Sequence, residues 1–135
     1  MTASFDLLWL NHPYPGSPCA AEFPNQCAIR MGVALERSGV DMSSFPGARC
    51  WHGHRPGHIL RAQELADWLS IQGIFGPRTV FRKQRDLGDK RGIVFVQNGW
   101  GSTDHIDLWD GPNGAMRAGS PDYLERGNAI WLWIL

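Results

Sequence analysis

The apolar residues of this chain change their period once, and that change limits the folds open to it. Cys27, Met31, Ala34 and Leu35 recur at spacings of three, four and seven to eight, the stripe of an amphipathic helix. Ile59, Ala62, Ala66 and Leu69, flanked by Leu65 and Trp68, repeat that pattern over 58–73. From residue 91 the pattern is different. "RGIVFVQNG" (91–99), "HIDLWDG" (105–111) and "NAIWLWIL" (128–135) are short runs bounded by Gly, Asn or Asp, and they predict strands. Helices first and strands after predict an α+β chain, with the N-terminal helices packed on one face of an antiparallel sheet.

The punctuation agrees with this reading. Asn25 is placed to cap the first helix, and Ser38-Gly39 and Gly73 are placed to end the two helices. Gly32, inside the first helix, costs about 1 kcal/mol relative to Ala and implies a close neighbour, a strand for example. "DGPNG" (110–114) is a tight-turn signal, and "AMRAG" (115–119) after it supplies a short returning strand. The opening run "FDLLWLN", followed by a stretch with four prolines, predicts a short strand or turn and then an ordered loop. The 40–57 segment is expected to be loop, and "FRKQRDLGDKR" (81–91) a solvated loop or helix end.

A length of 135 residues suits one domain spanning 1–135. Lys plus Arg balances Asp plus Glu at 13 each, so the chain lacks the basic footprint of a nucleic-acid binder. No run of 18 apolar residues exists to insert in a membrane. The N-terminus has no basic n-region and carries Asp6 within its apolar run, so it is expected not to act as a signal peptide. The three cysteines, Cys19, Cys27 and Cys50, allow one intramolecular disulfide at most, and Cys19–Cys50 is the pairing that leaves Cys27 as a thiol.

Cys27 is the first candidate for chemistry. A sulfur at a helix start lies near unpaired backbone N–H groups and the positive end of the helix dipole, which favour thiolate. His105 opens a predicted strand after "NGWGSTD" and can project at the sheet rim. A Cys on a helix start facing a His on a packed strand is the layout of a papain-type nucleophile and general base. A third group must orient the imidazole. Asp107 lies on the same side of the strand, but neighbours along one strand seldom meet end to end. A hairpin centred near 112 or 113 puts His105 opposite 119–121, where Asp122 is the nearest acid, so Asp122 is preferred over Asp107, with Asp104 and Asp110 less suited. The backbone N–H of Cys27, with Gln26 or Asn25, can serve an oxyanion.

Two other chemistries are written in the chain. "CWHGHRPGH" gathers Cys50, His52, His54 and His58, a donor set for zinc, although the spacing differs from common structural zinc sites. Trp51, Trp68, Trp100 and Trp109 could instead form the stacking surface of a non-catalytic binding module.

Taken together, "NQCAIRM", "CWHGHRPGHILRAQELADWL" and "GIVFVQNGW…DHIDLWDG" resemble, in order and distance, the type VI secretion amidase effectors of family four, over roughly residues 24–111. The resemblance implies a papain-like cysteine peptidase fold and hydrolysis of the D-glutamate–meso-diaminopimelate bond of peptidoglycan stem peptides. A metal-free Cys-His-Asp triad would do this, with Cys27 as nucleophile and His105 as base. It also implies synthesis in the cytoplasm and delivery by the type VI machine into the periplasm of rival bacteria. The partners would be components of that machine and a cognate immunity protein that blocks the active cleft. In that oxidising compartment a Cys19–Cys50 bridge could be tolerated. The family's Asp follows its His by about a dozen residues, and here that offset falls in "AMRAG", which has no acid. The cysteine pair that can flank that Asp in relatives is also missing.

Overall fold

The computed structural model describes residues 4–14, 16, 27–47, 49, 59–100, 103–119, 124 and 129–135, with backbone alone at 98–100 and 103. Cys19, Asn25, Gln26, Cys50, Trp51, His52, His54, His58 and Asp122 lie outside the described residues. The elements are α1 (Phe5–Asn11), α2 (Cys27–Arg37), α3 (Ala62–Gln72), β1 (Thr79–Phe81), β2 (Arg91–Trp100), β3 (Thr103–Asp110), β4 (Ala115–Met116) and β5 (Ile130–Ile134). This is the α+β arrangement expected, with one helix and one strand more than the periodicity revealed.

The additional helix is α1, where a strand or turn was expected. The Ser4 side chain accepts the Leu7 N–H at 3.1 Å, an N-cap, and Asp6 lies in the first turn. Phe5 and Leu8, three apart, are buried, so the run is a one-sided helix rather than an alternating strand. Helix α3 starts at Ala62, four residues later than predicted, because Ile59 bridges to Arg49 instead. Its buried residues, Ala62, Leu65, Ala66, Trp68 and Leu69, are the expected stripe, and Gly73 ends it in the left-handed conformation. The close neighbour of Gly32 is the side chain of Ile59, not a strand. The basic 81–91 segment contains a one-turn 3-10 helix, Gln84–Leu87, which buries only Leu87.

The strands form a single antiparallel sheet in the order β1-β5-β2-β3-β4. It is not the simple meander that was expected. Strand β5 returns past the β2–β3–β4 run to pair with β2 on its far side, and β1 adds to β5. Around the "DGPNG" turn, Asp110 pairs with Ala115 and Trp109 with Met116, which centres the hairpin between 112 and 113 as predicted.

The sheet is buried on both faces. Ile93, Phe95, Ile106, Leu108 and Trp133 join the helices in one cluster, while Val94, Val96, Trp109, Ile130 and Leu132 form a second with Leu87, Met116 and Leu124. This explains the near-continuous apolar runs of β2 and β5. Trp68 and Trp109 are buried in these clusters, so neither can belong to an exposed stacking surface.

Two glycines yield opposite predictions. A Cβ on Gly92, in the centre of the sheet, would collide with the backbone carbonyl of Trp133 in β5. Gly92→Ala should therefore destabilise the protein by about 1–3 kcal/mol. A Cβ on Gly32 would meet only the terminal methyl of Ile59 at 3.3 Å, which can yield. Gly32→Ala should then cost nothing net, since helix propensity favours Ala by about 1 kcal/mol. Urea unfolding of both variants checks the pair.

Candidate active site

Cys27 is the first residue of α2, and His105 and Asp107 stand two apart on β3. The helix is aimed by its own apolar face, which packs Cys27, Ala28, Met31, Ala34 and Leu35 into the helix-side core. Strand β3 is fixed between β2 and β4. Next to His105 the β2–β3 register breaks. Val96 pairs with His105 and Trp100 with Thr103, so residues 97–99 oppose 104 alone. A bulge of this kind bends a strand and re-aims its side chains.

The Cys27 sulfur lies 3.7 Å from the carbonyl oxygen of Asp104, which can accept a weak S–H bond. Its side chain also lies beside His105, whose charged form it favours. Cys27 is a buried thiol at 3% exposure, and His105 is buried at 1%. Among the described residues, surface clefts also lie against α3 at Trp68 and Ile71 and between α1 and Arg91.

The acid against His105 is Asp107, with Oδ2 2.9 Å from Nε2. Neighbours along a strand meet here because the carboxylate is gripped from several sides. The Leu108 N–H donates to Oδ1 at 2.8 Å, the Gly119 N–H donates to Oδ2 at 2.7 Å, and the Ala118 N–H reaches both oxygens at 3.1 and 3.0 Å. The hairpin thus brings the adjacent strand to the site as predicted and supplies the backbone N–H groups of Ala118 and Gly119, while Asp122, the acid preferred from sequence, lies outside the described residues. The other nearby acids have different engagements. Asp110 binds Arg91 and Asn113, and Asp104 contributes its main-chain carbonyl.

Because Asp107 accepts, Nε2 of His105 carries the proton. For His105, burial is the largest influence and opposes charge. The hydrogen bond and charge of Asp107, with the neighbouring Cys27, outweigh it and push the imidazole up to about 9. For Asp107, burial pushes upward, but the bond and charge of His105, the Leu108 N–H and the charge of His12 hold it below the ordinary carboxylate range.

His12 is a residue the sequence reading missed. It is 3% exposed, its Nε2 lies 4.0 Å from Oδ1 of Asp107, and its Nδ1 accepts the Tyr14 N–H at 3.2 Å. Burial, opposed by the charge of Asp107 and helped by Arg117, Arg30 and His105, lowers it to about 4. No spacing motif links residue 12 to 107; only α1, which went unrecognised, brings them together. Among the described residues, no group of three or more His, Cys, Asp or Glu is arranged to hold a metal ion.

A family model described as type VI secretion system amidase effector protein 4 matches residues 23–133. The chain belongs to the type VI secretion amidase effectors of family four. Solved structures of the family share its fold. The effector in the Salmonella Typhimurium effector–immunity complex Tae4–Tai4 superposes with a TM-score of 0.78 at 23% identity, over 100% of this chain and 99% of that one. The Enterobacter cloacae effector Tae4 gives 0.77 at 18% identity, over 100% and 98%. The Salmonella typhimurium Tae4 bound to the Enterobacter cloacae immunity protein Tai4 gives 0.73 at 24% identity, over 98% and 99%. No curated protein matches the sequence.

The geometry makes a pH prediction. The raised His105 means that the native state holds a proton the unfolded chain releases between about 6.5 and 9. Its stabilising contribution is therefore complete below pH 6.5 and is lost as pH rises through 9. Asp107→Asn should flatten that slope in pH-dependent urea unfolding, and should move the His105 imidazole titration, followed by NMR, back toward 6.5.

Proposed function

We propose that this effector hydrolyses the D-glutamate–meso-diaminopimelate amide of peptidoglycan stem peptides, with Cys27 as nucleophile, His105 as general base and acid, and Asp107 as the orienting acid. The observation that carries this reading is the 2.9 Å contact of His105 with the buried carboxylate of Asp107, with Cys27 at the start of α2 bonded to the carbonyl of the adjacent residue, Asp104. Family membership supports the amidase reaction class.

Nε2 of His105 is engaged by Asp107, which leaves Nδ1 to exchange protons with the sulfur. The thiol proton of Cys27 is handed to Nδ1, where the raised imidazole keeps it as the cation, and the sulfur attacks the amide carbonyl carbon. The contact with the Asp104 carbonyl suits the protonated sulfur and is released at this step. The tetrahedral oxyanion forms beside the start of α2, where the Cys27 N–H has no acceptor within the helix. On collapse the C–N bond breaks, and the leaving amine takes the proton from His105. Water, deprotonated by His105, then attacks the thioester carbonyl, releasing the carboxylate product and restoring the thiol. Asp107, held by three backbone N–H groups besides His105, keeps the imidazole in one orientation and stabilises its cationic form.

In this reading residues 1–135 form one catalytic domain on a papain-like plan. It is delivered by the type VI machine into the target periplasm and restrained in the producer by a cognate immunity protein over the active cleft. The solved complexes of Tae4 with Tai4 support the immunity partner.

Two measurements decide the chemistry. Cys27→Ala should abolish release of cleaved muropeptides and of new diaminopimelate amino groups, with the fold retained by circular dichroism. Wild-type activity should survive EDTA and be lost to iodoacetamide. Hydrolysis by Cys27→Ala that EDTA removes would overturn the reading in favour of a zinc site at Cys50, His52, His54 and His58. Asp107→Asn should lower kcat by roughly 10²–10⁴-fold, with folding checked in the same way.

A further inference from the structure

His12 lies outside the residues matched by the family model, which begins at 23. Since its Nδ1 accepts the Tyr14 N–H, its ring proton sits on Nε2. That Nε2 is buried, has no hydrogen-bond partner among the described residues, and lies 4.0 Å from Oδ1 of Asp107. A buried donor left unmatched is costly, and such a group asks for a function.

The backbone that carries His12 is held by two arginines. Arg117, just after β4, donates to the carbonyls of Trp9 at 3.1 Å and His12 at 3.1 Å. Arg30 of α2 donates to the carbonyl of Gly16 at 2.9 Å and stacks on Tyr14. Arg117 is also the residue before Ala118, whose N–H binds Asp107. The clamp on the N-terminal segment and the grip on the carboxylate are thus consecutive in the chain.

We propose that His12 is a positioning residue for the reaction, its Nε2–H facing Oδ1 of Asp107 so that Oδ2 stays directed at His105. This rests on the Cys27–His105–Asp107 reading given above. Oδ2 is held by His105, Ala118 and Gly119, whereas Oδ1 has Leu108 and a share of Ala118. His12 supplies the remaining donor on the Oδ1 side and resists rotation of the carboxylate. At 4.0 Å the contact is too long for a hydrogen bond. It shortens in the substrate complex, as catalytic contacts in unliganded sites commonly do. A neutral ring suits this role, because a second imidazolium would compete with His105 for the same carboxylate.

The test compares three full-length variants, with circular dichroism and melting as folding controls. Gln can place an amide donor near the position of Nε2. Asn places one only near Nδ1, and Phe has none. His12→Asn and His12→Phe should each lower kcat on a muropeptide by roughly 10- to 100-fold, with KM unchanged, while His12→Gln stays near wild type. Wild-type kcat in a folded Asn or Phe variant overturns the proposal, as does an equal loss in the Gln variant. Cys27→Ala in the same assay keeps the two ideas apart. Hydrolysis surviving there strikes the catalytic reading itself, whereas an inactive Cys27→Ala beside an indifferent position 12 strikes only the role of His12.

Discussion

A carboxylate shut away from water must be compensated by whatever surrounds it, and Asp107 has no solvent exposure at all. Its compensation comes from backbone N–H groups at 108, 118 and 119 and from the imidazole of His105. Each donor belongs to a different demand of the fold. Leu108 is on the same strand, Ala118 and Gly119 follow the returning strand, and His105 is aimed where the β2–β3 register breaks. The site depends on this one buried anion, because it holds the histidine charged and turned in a direction that keeps the other ring nitrogen for the sulfur.

The same anion bears on the acid position that the family resemblance implied. The sequence comparison placed the expected acid in "AMRAG", about a dozen residues after the histidine, where none exists. That segment instead offers main-chain N–H groups to an acid two residues from the histidine. A carboxylate on the histidine's own strand sets a negative charge beside the imidazole, and the segment after the neighbouring strand stabilises it through the backbone. A backbone donor has no residue identity, so this support leaves no trace in a motif.

The helices and central strands were legible for a plain reason: each buries one face, or both, against a single core, and burial imposes a period. Gly73 and "DGPNG" were legible because positive φ and tight turns demand particular residues. What escaped was short or marginal. Helix α1 has seven residues behind a Ser cap and sits next to a proline-rich stretch, so its two buried positions do not establish a period. Strand β1 has three residues, exposed or half-exposed, and carries no apolar alternation.

Cys27 and His105 could be named from the chain because their chemistry is tied to local context, a helix start and a strand after a loop. The acid could not be fixed, since several stood within reach and the choice among them turned on which carboxylate the folded backbone could hold. The sequence by itself determined the fold class, with the helices on one face of the sheet, and put forward the thiol and imidazole, because period and residue type carry that information locally. Only the tertiary structure decided that Asp107 meets His105 and that His12 stands behind it. Those contacts depend on the directions of N–H groups and on a helix far away in the chain, and both exist only once the backbone has closed.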